Sequence, residues 1–240
     1  MAADPDTRGG WTADRPMVLY GAGGAGRAVA RHLKAQGVTV AAFLDAEAAP
    51  GETRDGIPTH TLAGWLKIAR AQDFAVLVSI HNPYVAVAPI LDTLRAAGFA
   101  RVLSMADYAN LFPPDPAFQY YWLTAAAGYA GAETEVAAAR ALLADDESRR
   151  WFDALMRLRL TGNYHGLPEP RPAEQYLPAD LPRWAEPMRL IDCGAYDGDT
   201  LVALQQTGYR VEAVVAFEPD PANYANPSSP RGPTNVFSVI

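Results

Sequence analysis

The sequence predicts two α/β units, each built on a parallel, doubly wound sheet, joined by a helical linker. Two observations carry this expectation. The stretches "MVLYGAGGAGRAVARHL" and "MRLIDCGAYDGDTLVAL" each run from a short apolar strand through a glycine-bearing turn into a helix. Each then leads to a β-rich run that ends on an acid, Asp45 in "FLDAE" and Glu218 in "AFEPD". Between them the composition shifts to alanine-rich helix and then to a proline-rich stretch. The expected organisation is a disordered tail over 1–16, a Rossmann-like domain over 17–115, a helical and proline-rich connector over 116–187 and an incomplete second α/β domain over 188–240.

With 240 residues, 50% of them hydrophobic and 20% charged, the chain has enough apolar material for more than one core. A net charge of -7 argues against attraction to phosphate backbones or anionic lipid, so nucleic acid is not an expected partner. Cys193 is the single cysteine and cannot form an internal disulfide; it reads as a small buried residue beside the second glycine turn. The four histidines are scattered without metal-ligand spacing, and no metal site is expected. The opening "MAADPDTRGGWTADRP" has neither the basic nor the apolar region of a secretory signal. The longest uncharged stretch, "PAFQYYWLTAAAGYAGA", falls short of the roughly 18 apolar residues of a membrane span. A cytoplasmic protein follows by default.

Met17 to Tyr20 reads as a buried strand, and Ala25, Val29, Ala30 and Leu33 share one face of the helix that follows, closed by Gly37. "VTVAAFLDAE" completes a strand, helix, strand unit ending at Asp45. Thr61 is placed to cap a helix, and Phe74 to Ile80 is a continuous apolar run of the kind buried on both faces of a parallel sheet. A helix over 89–97, stopped by Gly98, leads into a last strand at 101–104. "LFPPDP" then marks a boundary. Within the connector, Trp151, Phe152, Leu155 and Leu158 have the spacing of a buried helical stripe. Tyr164, Tyr176 and Trp184, in the proline-rich part, require something to lie against.

In the second unit a strand leads through Asp192, Gly194 and Gly198 into a helix at about Thr200, and Glu218 stands at the carboxyl end of the next strand. Ligands of doubly wound sheets bind at such carboxyl ends, and a carboxylate there accepts from both hydroxyls of a ribose. Gly194, Gly198 and Glu218 together therefore describe an adenosine site.

"IDCGAYDGDTL" followed by "AFEPDPANY" resembles the first two motifs of the FkbM family of S-adenosylmethionine-dependent methyltransferases, within the class I methyltransferase fold. "LTGNYHGLPEPRP" and "EQYLPADL" are similar to what precedes those motifs in members with an N-terminal Rossmann-like domain. The resemblance implies that S-adenosyl-L-methionine is the cofactor and that Asp192, Gly194 and Gly198 surround its methionine part. It also implies Glu218 as ribose acceptor, with Ala195, Tyr196 and Asp197 in the same loop. The acceptor it implies is a hydroxyl of a small molecule, sugar, glycan or secondary metabolite. No residue of the sequence identifies a general base.

A class I sheet has about seven strands by the same resemblance, whereas 188–240 supplies two, with "NVFSVI" as a third. Pro227, Pro230 and Pro233 stand where the family continues into a helix. The expectation is a fragment that is inactive in methyl transfer by itself.

The first turn, with Gly21, Gly23, Gly24 and Gly26, matches a dinucleotide fingerprint, and Asp45 lies near the interval expected of a ribose-binding acid. That supports an NAD(P)-dependent oxidoreductase. The region also resembles the N-terminal domains of bacterial sugar O-acyltransferases, which implies a nucleotide or nucleotide-sugar ligand, with His81 and Asn82 beside it. A non-catalytic nucleotide-sugar-binding module is the third reading, and the bland alternative for Asn82 is a helix cap.

Overall fold

A computed structural model describes residues 15–80, 82, 85–112, 123–169, 171, 174, 177, 182–224 and 236–239. The chain divides into two compact units, 1–170 and 171–240.

In the first unit, β1 (Met17–Tyr20), β2 (Val40–Leu44), β4 (Ile57–His60), β5 (Ala75–Val78) and β6 (Arg101–Leu103) are mutually parallel in a sheet of order β3-β4-β2-β1-β5-β6. The edge strand β3 (Thr53–Arg54) is the antiparallel exception. It forms a tight hairpin with β4 whose two central residues, Asp55 (φ 50) and Gly56 (φ 77), adopt the left-handed pair that Asp-Gly favours. The expected strands at 17–20 and 101–104 are present, as is the all-buried run, trimmed to Ala75–Val78.

Alternate residues of β1 serve opposite faces, and both faces are covered. Met17 and Leu19 pack with Val29, Ala30 and Leu33 of α1 (Gly24–Ala35) and with Met105 and Tyr108 of α4 (Met105–Leu111). Val18 packs on the other side with Val76, Val78, Trp65 of α2 (Leu62–Trp65), and Leu91 and Leu94 of α3 (Val87–Ala96). This two-sided burial explains why the strands read as continuous apolar runs. Thr61 caps α2 by accepting from the Gly64 N–H at 3.0 Å, as expected. Helix α4 is held by a capping box in which Ser104 and Asp107 exchange hydrogen bonds. His32 on α1 and Tyr108 on α4, both buried, are hydrogen-bonded to each other.

Helices α5 (Glu133–Ala141) and α6 (Asp146–Thr161), expected in the connector, lie within the first unit, and Arg140 joins them through Asp153 at 2.7 and 2.9 Å. The expected stripe on α6 holds at Leu158, with Phe152 half-buried, and is corrected at Trp151 and Leu155. Ala154 and Leu158 are its buried residues, while Trp151 and Leu155 are 37% and 42% exposed. The seam follows the row one turn apart through Ala154, whose small side chain permits close approach; Trp151 and Leu155 fall to the side of it. Tyr164 is buried, Trp184 is exposed, and Tyr176 lies outside the described residues.

The second unit is a three-stranded parallel sheet of order β7-β8-β9, formed by β7 (Met188–Cys193), β8 (Val211–Phe217) and β9 (Val236–Val239). The third strand is thus present within "NVFSVI". Helix α7 (Asp199–Gln206) crosses from β7 to β8 and buries Leu201 and Leu204, and α8 (Pro221–Tyr224) is a single short turn. Exposure alternates along β7, so Arg189, Ile191 and Cys193 share an open face. Cys193 is therefore exposed, against expectation: nothing among the described residues covers that side of the sheet, where Ile191 is 68% exposed.

Candidate functional site

The loop between β7 and α7 contains three residues of positive φ: Gly194 (93°), Tyr196 (48°) and the helix N-cap Gly198 (86°). Glycine at the first and last removes the Cβ clash of that region, whereas Tyr196 adopts it with a side chain and must be held there. The hold is Glu218. One carboxylate oxygen accepts from the Tyr196 N–H at 2.7 Å and the other from the Asp220 N–H at 2.8 Å. The N–H groups of Gly194 and Ala195 both donate to the Phe217 carbonyl, at 2.8 and 3.0 Å, so the loop is sewn to the end of β8. A Cβ built on Gly194 would meet no protein atom within 4 Å, leaving open space beside the loop.

Carboxylates gather here. Burial, reinforced by the charge of Asp199, pushes the Asp192 carboxyl above its ordinary range. Asp197 has a buried Oδ1 without a hydrogen-bond partner, an acceptor left over by the protein. Asp192, Gly194, Ala195, Tyr196, Asp197, Gly198 and Glu218 thus belong to one loop and the strand ends beside it. Sequence reasoning missed Asp199 as the group that acts on Asp192. Its signal was an acid at the first helical position, where it usually reads only as a helix-dipole partner.

The acceptor oxygens gathered at this loop fit a group that donates hydrogen bonds, such as a ribose diol. A carboxylate offers about four acceptor positions, and the buried Glu218 uses two of them on N–H donors. Asp192 and the unpartnered Asp197 oxygen add further acceptor atoms on the same loop.

The glycine turn of the first unit follows β1. Gly21 (φ 107) and Gly26 are required by packing: a Cβ on Gly21 would lie 2.7 Å from Ile80, and one on Gly26 would lie 2.0 Å from the Gly21 carbonyl oxygen. Gly23 and Gly24 differ, since a Cβ on either meets nothing within 4 Å. Gly23 is the N-cap of α1 and provides no side-chain cap, so the first-turn N–H groups have no acceptor from it. Asp45 stands at the end of β2 but is heavily engaged. Its Oδ2 accepts from Ala22 N–H at 3.1 Å and meets Arg54 at 3.5 Å, while Oδ1 accepts from Glu47 N–H at 3.1 Å. Arg54 also donates to the Ala22 carbonyl and pairs with Glu52 at 2.7 Å.

The two turns therefore share one device. The same interval of sequence separates Gly21 from Asp45 and Gly194 from Glu218, and each acid accepts from a loop N–H and from the N–H two residues beyond itself. Only the first is also tied to a guanidinium.

Asn82 lines a cavity of about 540 Å³ that borders the start of α3 and residues 164–169. It is not the helix cap, which is Ala86. His81 lies outside the described residues. No group of His, Cys, Asp and Glu among the described residues forms a metal site, and no described helix is long and apolar enough to cross a membrane.

No family model matches the sequence, and no curated protein matches it. The structure is similar to the crystal structure of methyltransferase FkbM from Methylobacillus flagellatus KT, with a TM-score of 0.65 and 22% identity over 95% of this chain. The chain spans 63% of that chain's length. The mixed α/β architecture with its mostly parallel sheets is a Rossmann-like fold of the kind that crystal structure has.

Proposed function

We propose that the second unit is the start of an S-adenosyl-L-methionine-dependent methyltransferase domain of FkbM type, acting on a hydroxyl of a small molecule, sugar, glycan or secondary metabolite. The observation that carries this reading is Glu218. It braces the glycine loop through Tyr196, and on this reading its remaining acceptor positions serve a ribose. The fold likeness supports it at a coarser level.

On this reading Glu218 would hold the ribose hydroxyls, with Asp192 and Asp197 beside the positively charged methionine end. The bound sulfonium would supply an activated methyl group. The protein's part is then to fix the cofactor by a rigid loop, to align an acceptor oxygen and to exclude water. The described three-stranded sheet leaves the face of Ile191, Cys193 and Phe217 open and supplies no acceptor wall. We infer that the 240-residue chain alone does not transfer methyl groups.

Calorimetry with S-adenosylhomocysteine tests the cofactor assignment without requiring turnover. Binding to the native chain, weakened at least about tenfold by Glu218→Ala with the loss of a charge-assisted contact, is the expected result. Unchanged affinity in that variant refutes the role of Glu218. Methyl transfer to any hydroxyl acceptor by the chain alone refutes its inactivity.

For the first unit the reading is a nucleotide or nucleotide-sugar site at the Gly21–Gly26 turn. The open positions at Gly23 and Gly24 and the uncapped helix start favour phosphate there. An NAD(P)-dependent oxidoreductase is less favoured, because Asp45 already serves Ala22, Glu47 and Arg54.

A further inference from the structure

Two non-glycine residues among those described have positive φ, Asp55 (50°) and Tyr196 (48°). Asp55 is accounted for by its hairpin: with Gly56 it forms the left-handed pair that a two-residue turn between antiparallel strands requires, and aspartate tolerates that region. Tyr196 has no such account. A bulky residue in the left-handed region is a genuine outlier, because its Cβ crowds the neighbouring carbonyl oxygen. On the same loop Gly194 and Gly198 hold positive φ without that crowding.

Neither hydrogen bonding nor packing explains a tyrosine at this position. The bond that fixes it, from the Tyr196 N–H to Glu218 at 2.7 Å, is made by the backbone, and glycine would make it equally. The ring adds little to the core, since Tyr196 is 57% exposed, and its hydroxyl has no hydrogen-bond partner among the described residues. A large ring is thus held on a strained backbone, facing solvent, where a smaller residue would fold more easily. Strain of this kind clusters at ligand sites. The place agrees: the loop runs from the carboxyl end of β7 into α7, the end of a doubly wound sheet at which ligands are received. Beside it, a Cβ on Gly194 meets no protein atom within 4 Å. Ile191 and Phe217 differ, because they lie in strands and their exposure follows from the open face of the sheet.

We propose that Tyr196 is a ligand-contact residue of the second unit, whose ring forms a wall of the cofactor site and packs against the bound cofactor, presented there by the left-handed backbone. This role rests on the loop being the S-adenosyl-L-methionine site. Affinity and fold stability then oppose each other at one residue. Glycine relaxes the backbone and removes the contact in the same step.

The test is titration calorimetry with S-adenosylhomocysteine, and scanning calorimetry of the same samples, on the full chain and its Tyr196→Gly, Tyr196→Ala and Tyr196→Phe variants, with Glu218→Ala for reference. Tyr196→Gly is expected to raise the unfolding temperature of the second unit by about 2–6 °C, as the crowding is relieved. The same variant should bind at least about fivefold more weakly, the loss of an aromatic contact. Tyr196→Ala keeps the crowded backbone and weakens binding to a similar extent, whereas Tyr196→Phe stays within about twofold of the native chain, because the ring face makes the contact. Binding weakened by Glu218→Ala but unchanged in Tyr196→Gly and Tyr196→Ala overturns the role of the ring and leaves the cofactor reading standing. Weakening in Tyr196→Gly alone assigns the effect to loop stiffness and overturns the ring contact. A lower unfolding temperature for Tyr196→Gly makes the ring part of the packing and overturns the opposition of affinity and stability. No binding of S-adenosylhomocysteine by the native chain overturns both this role and the cofactor reading.

Discussion

Gly26→Ala is the sharpest probe of how the first turn is built. A methyl group at this position would stand 2.0 Å from the Gly21 carbonyl oxygen and 2.9 Å from Ser79 Oγ. The nearer atom is backbone, so α1 and β1 must separate by roughly 1 Å or more before the contact becomes tolerable. Overpacking of this kind costs about 1–3 kcal/mol and occasionally more. It is offset by about 1 kcal/mol from the better helix propensity of alanine. Because the obstacle is a carbonyl with its own partners, we expect a gross cost of about 3–4 kcal/mol and hence a net loss of about 2–3 kcal/mol. For a chain of this size that is a fall of roughly 4–12 °C in unfolding temperature. Gly24→Ala is the control: on the same helix, a Cβ there meets nothing within 4 Å, and the substitution should be neutral or mildly stabilising. Circular dichroism melts of the two variants and the native chain measure the difference. Equal unfolding temperatures for Gly26→Ala and Gly24→Ala would show that the helix does not sit against the strand as described.

Tyr108→Phe removes the partner of buried His32 and should cost about 1–3 kcal/mol in urea titration, the penalty for an unsatisfied buried polar group. Asp192 has a folded-state pKa raised by burial and by Asp199. Its contribution to stability is therefore full below the unfolded carboxylate range and is lost as pH rises through the folded value. Asp192→Asn should accordingly flatten the stability profile on the acidic side, and a profile unchanged in unfolding experiments from pH 3 to 7 would contradict the shift. Exposed Cys193 should react with a thiol reagent such as Ellman's in the native state as fast as a small-molecule thiol, to within about tenfold, with no lag before denaturant is added.

The strands of the first sheet were legible because burial on both faces writes them as uninterrupted apolar runs, as in Ala75–Val78. Other parts were not. The β3 strand has two residues and no periodicity, so only the Asp55-Gly56 pair announced its hairpin. Helix α4 begins one residue after the strand-like "RVLS", and its signal was the Ser104 to Asp107 spacing of a capping box. The α6 stripe held at Leu158 but not at Trp151 and Leu155, because spacing gives a face and not how far the packing covers it. Cys193 failed for a different reason: alternation predicts which residues share a face but not whether that face is covered. At the candidate sites the glycines and the acids Asp45 and Glu218 could be named in advance. Their hydrogen-bond loads could not, since these depend on N–H groups brought from Ala22 and Tyr196 by backbone geometry.

The double tether of Glu218 bears on how a ligand would be received. Fixing a free glutamate side chain costs up to about 1.5–2 kcal/mol of rotamer entropy. Here folding has already met that cost, because one oxygen is held by Tyr196 N–H and the other by Asp220 N–H. On the proposed role of Glu218, a diol would find an acceptor that does not have to be ordered. Replacing it with aspartate would keep the charge but shorten the reach, forfeiting that preorganisation before any contact with the ligand is lost.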